Sequence, residues 1–65
     1  MEKKYNLGDK VTLKSGGPTM TVNEYHEKKS VTMMEFSGYL VCKWFVGSAE
    51  HESLFHQDAL DKASN

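Results

Sequence analysis

The 65-residue chain carries eight basic residues, every one a lysine, against nine acidic ones, for a formal net charge of −1. That balance gives no basic footprint, and without arginine there is no planar fork to read guanine edges or grip phosphates in bidentate fashion, which argues against sequence-specific DNA binding. A single domain of this length buries only about 60% of the surface its unfolded chain exposes, and a lone Cys42 excludes an internal disulfide, so a thin core carries the fold unless a metal or a partner chain assists it.

In chain order, the opening Met1 to Lys10 lacks the apolar core of a secretory signal; with a single cysteine, this predicts a cytoplasmic protein. No apolar run approaches the length needed to span a bilayer, so a membrane is not an expected partner. Asp9 to Lys14 alternates, with Val11 and Leu13 on one face and Lys10, Thr12 and Lys14 on the other, and reads as a half-buried strand. Ser15-Gly16-Gly17-Pro18 breaks it, because the glycines permit positive φ and Pro18 biases Gly17 away from the helical region. Alternation resumes from Thr19 to Tyr25, with Met20 and Val22 on one side, so two antiparallel strands are joined by a four-residue turn.

His26-Glu27-Lys28-Lys29 reads as a polar bend. Beyond it, Ser30 to Phe36 has strand propensity with apolar groups on both faces, and Ser37-Gly38 offers a two-residue hairpin turn. A strand from Tyr39 to Val46 follows, with Leu40, Cys42 and Trp44 on the core face; Trp44 is the expected core anchor. Its other face, Tyr39, Val41, Lys43 and Phe45, is the least polar outer face in the chain. Glu50 to His56 reads as a fourth strand, Gln57 to Leu60 as one helical turn closing on Leu60, and residues 62–65 as a frayed tail. The expected architecture is all-β: one domain spanning 1–65, a small SH3-like barrel of bent antiparallel strands with its core at 7–60 and an inserted β-hairpin arm at about 26–38.

Gly8-Asp9, Val11, Leu13-Lys14-Ser15-Gly16-Gly17-Pro18 and Met20-Thr21-Val22, followed by Cys42 and Trp44-Phe45, together resemble the YodC-like family of small, mostly uncharacterised bacterial proteins. The resemblance covers Leu7 to about Val22 and Leu40 to about Leu60. It implies that the longer connection between Val22 and Leu40 is an insertion, and it implies no reaction and no partner. Gly8-Asp9-Lys10-Val11 is also similar to the start of the KOW motif of ribosome- and transcription-associated barrels, but the Gly-Gly-Pro turn and the Thr19, Thr21 and Glu24 strand depart from that pattern.

Four constellations bear on chemistry. Lys14, Ser15, Gly16 and Gly17 could form an anion-binding nest, against the plainer reading of a tight turn. Cys42, His51 and His56, with His26 in reserve, are zinc-ligating residue types, but His51 and His56 are an odd number apart and point to opposite faces of a strand; no metal and no cofactor are expected. Cys42 with a histidine and Asp58 could be drawn as a catalytic set, yet a barrel this small seldom encloses a ligand pocket, and no catalytic residue is assigned. Tyr25, Tyr39 and Phe45 with Lys28 and Lys43 could stack single-stranded RNA. The expectation is a non-catalytic interaction module that meets a protein partner or a second copy through Met33, Met34, Phe36, Tyr39, Val41 and Phe45, with nucleic-acid binding by a KOW-like barrel as the alternative.

Overall fold

The computed structural model describes residues 2–63. Among the described residues five strands form one antiparallel sheet: β1 (Lys10–Leu13), β2 (Met20–Lys29), β3 (Met34–Val46), β4 (Ala49–His56) and β5 (Leu60–Lys62), with a single 3-10 turn, Gln57–Ala59, between the last two. Their order is β4-β3-β2-β1-β5. The all-β class is the one the alternation predicts. In place of the expected barrel stands an open sheet, because among the described residues β4 pairs only with β3 and β5 only with β1, leaving an edge at each end.

Strict alternation puts one row of each strand on the inner face. Val11, Met20, Val22, Leu40, Cys42 and Leu60 are each no more than 2% exposed there, with Tyr5, Leu13, Tyr25, Trp44 and Phe55 packed around them. Trp44 shares the face of Leu40 and Cys42 as expected, but it is a half-buried rim residue rather than the anchor. It lies at the far end of β3, where its cross-strand neighbour is His51 on β4, and no further strand covers that corner. The β1–β2 connection runs over residues 14–19, longer than the expected four, because β1 ends at Leu13 and β2 starts at Met20; the glycines do take the expected conformation, with φ of 102° at Gly16 and 133° at Gly17, and the Gly16 N–H donates to Leu13 O at 2.9 Å.

The arm exists, but its turn lies elsewhere. The residues expected to bend, 26–29, continue β2 in an extended conformation, and the chain reverses at 30–33, where Ser30 N–H and Oγ both bond to Met33 O. Ser37-Gly38, expected as the hairpin turn, instead lies inside β3 at a bulge. Between Tyr25 and Glu27 the β3 partner moves from Leu40 to Phe36, so β3 carries surplus residues at this point. Gly38 takes φ 95° there. Ser37 Oγ donates to His26 O at 2.9 Å, accepts from Tyr39 N–H at 3.2 Å and lies 2.9 Å from His26 Nδ1. Since the hydroxyl's one proton goes to the carbonyl, His26 Nδ1 is the donor to it. A local polar network thus satisfies groups that the regular ladder leaves unpaired. Thirteen residues of β3 at about 3.3 Å each span about 43 Å, matching the longest dimension of 42 Å. The radius of gyration is 12.4 Å, above the roughly 11 Å of an equally long compact chain, as a projecting arm requires.

The residues before β1 are tied across the inner face. Gln57, 3% exposed, accepts from Lys4 N–H at 2.9 Å and donates to Glu2 O at 2.7 Å. Tyr5 OH donates to Leu60 O at 2.8 Å, and Tyr25 OH to Tyr5 O at 2.9 Å. Gly8 N–H donates to Val22 O, while Asp9 accepts from Asn6 N–H through its carboxylate. The Gly8-Asp9 pair is therefore part of a turn docked on β2. At the other terminus Lys62 pairs with Val11, and Ala63 N–H donates to Lys10 O, so these two positions of the expected frayed tail belong to a β-ladder; Ser64 and Asn65 lie outside the described residues.

Candidate interaction surface

Cross-strand pairing defines the outer face of the sheet. Antiparallel partners share a face, so Tyr39 stands beside His56, Val41 beside Leu54, Lys43 beside Glu52 and Phe45 beside Glu50. Within this row Phe45 is 64% exposed, Leu54 44% and Tyr39 42%, and Val41 is half-buried. Tyr39 meets the His56 ring edge-on, with centroids 5.0 Å apart. Lys43 reaches Glu50 across the strands at 3.8 Å, which places an ion pair inside the apolar row. Leu54 is the member that sequence reasoning missed. The signal was present in its even spacing from Glu50 and Glu52, but only the β3–β4 register shows that it adjoins Val41.

Two further predicted contact residues, Met33 and Met34, occupy the arm tip beside Val31, which is 96% exposed. They do not adjoin the outer-face row: the arm separates them from it. Phe36 departs from the expected surface altogether. At 5% exposed it belongs to the core, edge-on to Tyr25 with centroids 5.5 Å apart. The reason is the extension of β2 through residues 26–29, which gives Phe36 a cross-strand neighbour and turns the base of the arm over the core.

The remaining candidates are dispersed. Lys14 N–H donates to Ala59 O and Gly16 N–H to Leu13 O, and Lys14 Nζ stands 3.5 Å from Asp61. Two of the four amides of the expected anion nest are thereby occupied. Gly16 and Gly17 also both have positive φ, unlike the alternation of right- and left-handed residues that makes a nest. Cys42 lies on the core face opposite Ser53, and burial pushes its thiol pKa up. His51 stacks on Trp44 with centroids 5.6 Å apart; His56 Nδ1 accepts from Asp58 N–H at 3.1 Å; His26 lies on the arm. Among the described residues no three His, Cys, Asp or Glu side chains converge as metal ligands, and no pocket is enclosed.

Electrostatics is equally spread out. Lys4 and Asp58 form a close ion pair at the surface, which holds the Asp58 carboxyl below and the Lys4 amine above their ordinary values. Lys28 lies opposite Glu35, Lys10 donates to Thr21 Oγ1 and Lys3 sits 4.4 Å above the Tyr25 ring. Tyr25, one of the candidate stacking rings, is therefore committed to the interior through its hydroxyl, edge and face. Among the described residues no helix is long and apolar enough to cross a membrane.

No curated protein and no solved structure matches the chain. The model of a protein family described as an uncharacterized small protein (DUF2158) matches residues 6–60, from the turn before β1 through the start of β5. It thus takes in the Gly8-Asp9 turn, the Gly-Gly-Pro reversal, the whole arm and the aromatic end of β3. On that match the chain belongs to the DUF2158 family of uncharacterized small proteins.

Proposed function

We propose that the chain is a non-catalytic interaction module of the cytoplasm, YodC-like within its family, that binds protein or a second copy of itself through the outer face of β3 and β4. The observation that carries this reading is the outer row of β3 and β4, where Tyr39, Val41 and Leu54 lie side by side and Phe45 stands beyond the Lys43–Glu50 ion pair, on one side of a sheet whose other side is the core. A domain this small has little apolar side chain to spare, and a clustered exposed strip marks a contact surface. Met33 and Met34 at the arm tip add an adaptable second contact, since the unbranched thioether side chain fits varied partners.

The placement of the lysines supports protein contact over RNA stacking. Lys28 and Lys43 each face a glutamate across the ladder, so they do not pool charge along an aromatic platform as a single-strand groove requires. The test is the double substitution Tyr39→Ser with Phe45→Ser. Both sites are solvent-facing, so the melting temperature should stay close to that of the wild type, while capture of protein partners should be lost. Capture unchanged by the pair, or wild-type capture of RNA alone, would overturn the reading.

A further inference from the structure

The free edge of β4 has properties that the outer-face strip does not explain. Residues 47 and 48 form the β3–β4 turn, closed by Val46 opposite Ala49. In an antiparallel ladder hydrogen-bonded pairs alternate, so His51, Ser53 and Phe55 turn their backbone groups toward β3, as Ala49 does. Glu50, Glu52, Leu54 and His56 then turn theirs toward the open edge. Unlike β5, which spans only Leu60–Lys62, β4 offers eight residues. It contains no proline, no lysine and no register shift against β3, the usual means of blocking an edge.

We infer that β4 is the pairing edge for a second copy of this chain, the two β4 strands running antiparallel about a two-fold axis at Ser53 to join two sheets into one. This rests on the reading above that the module makes protein contacts, and it names the partner and the register. Face matching requires that outer residues meet outer residues, so the axis must pass through a residue position rather than between two. At Ser53 the pairing runs from Glu50 to His56 and places Glu50 opposite the second copy's His56, twice by symmetry. His56 Nδ1 already accepts from Asp58 N–H, so in the neutral ring the proton sits on Nε2, available to a carboxylate. On the inner face the same register puts Phe55 opposite the second copy's His51, which stacks on its Trp44. The half-buried aromatic corner that no strand covers in one chain is thus continued by its own counterpart.

Neighbouring registers are poorer. An axis at Glu52 sets Glu52 directly against its symmetry mate, and like charges directly opposite are destabilising. An axis at Leu54 shortens the pairing to Glu52 through His56. With the axis at Ser53 the two Glu52 residues meet only diagonally, each with Lys43 across the ladder on its own β3.

The test is the oligomeric state of the full chain by sedimentation equilibrium, together with amide exchange. The wild type should be dimeric at high concentration, and the Glu52 and Leu54 amides should gain protection with concentration while those of Ser53 and Phe55, already bonded to β3, should not. Leu54→Pro removes an outward N–H that β3 does not use, a position an edge strand tolerates, and should give a folded monomer. His56→Glu should raise the dissociation constant about tenfold, since two cross-strand pairs are lost; adding Glu50→Lys should restore it by setting an ammonium opposite each new carboxylate. A wild type still monomeric at about 1 mM, corresponding to less than about 4 kcal/mol of association, would overturn the pairing. A dimer that survives Leu54→Pro but is lost with Tyr39→Ser and Phe45→Ser would also overturn it, while upholding the outer-face reading. If Leu54→Pro unfolds the chain by circular dichroism, the charge-reversal pair and the exchange pattern decide.

Discussion

The two ends of β3 differ in what holds them. Around Leu40 and Cys42 the strand is flanked on both sides, covered by the core, and closed over by the residues before β1, whose polar groups are met by Gln57, Tyr5 and Tyr25. Toward Met34 it has β2 as its one partner, and past Phe36 it has no buried neighbour. The difference teaches that strand length here is not a measure of core size. A ladder of backbone hydrogen bonds carries the arm outward after the supply of apolar side chains has ended, and Phe36 marks the boundary between the two regimes.

The sharpest probe of that boundary is Phe36→Ala against Val31→Ser. Truncation of a buried phenylalanine should cost about 3–5 kcal/mol, comparable to the whole stability of a domain this small, and urea denaturation would show it as loss of the folded baseline. Val31→Ser, five positions away but wholly exposed, should change stability by about 0.5 kcal/mol or less. Equal effects at the two sites would mean that the arm folds as one unit with the core.

A smaller effect is expected where the N-terminal segment is tied down. Gln57→Ala leaves the Lys4 N–H and the Glu2 carbonyl without their side-chain partner, and should cost about 1–3 kcal/mol. Amide exchange should rise at Lys4 while the β2–β3 ladder stays protected. If exchange rises equally in both, the N-terminal segment is not a separate element of the fold. Trp44→Ala belongs in the same range, below a core truncation, because the ring sits at the rim of the core and is only partly buried.

The smallest effect concerns pH. Burial raises the Cys42 thiol above its unfolded value, so the folded state holds that proton more firmly than the unfolded chain does. The sign follows from linkage: this contribution is fully present below the unfolded thiol's range, about 8.5, and is lost as pH rises through the folded value. The urea midpoint should therefore fall between pH 8 and pH 10, and Cys42→Ala should flatten that fall even though it lowers stability at neutral pH. A midpoint with the same alkaline slope in both proteins would locate the pH dependence elsewhere, in the lysines.

Much of the fold is written in local pattern. Alternation at Val11 and Leu13, at Met20 and Val22, and at Leu40 and Cys42 assigns inner and outer faces correctly, because side chains in an extended chain point alternately whatever the strand pairs with. Gly16 and Gly17 specify their turn because the conformation at positive φ excludes most other residues. The outer-face residues Tyr39, Val41 and Phe45 were legible by the same parity. What the pattern could not decide was everything that depends on a partner strand. Ser37-Gly38 suits a hairpin turn and a bulge equally well, and only the β2–β3 register makes it a bulge. The same register extends β2 through Lys29, moves Phe36 from the surface into the core, and places Leu54 beside Val41. Trp44, Tyr5 and Gln57 likewise owe their burial to neighbours far along the chain. Sequence by itself determined which way side chains face, since that is a property of the local backbone; tertiary structure decided which of those faces are covered, since burial depends on what lies opposite.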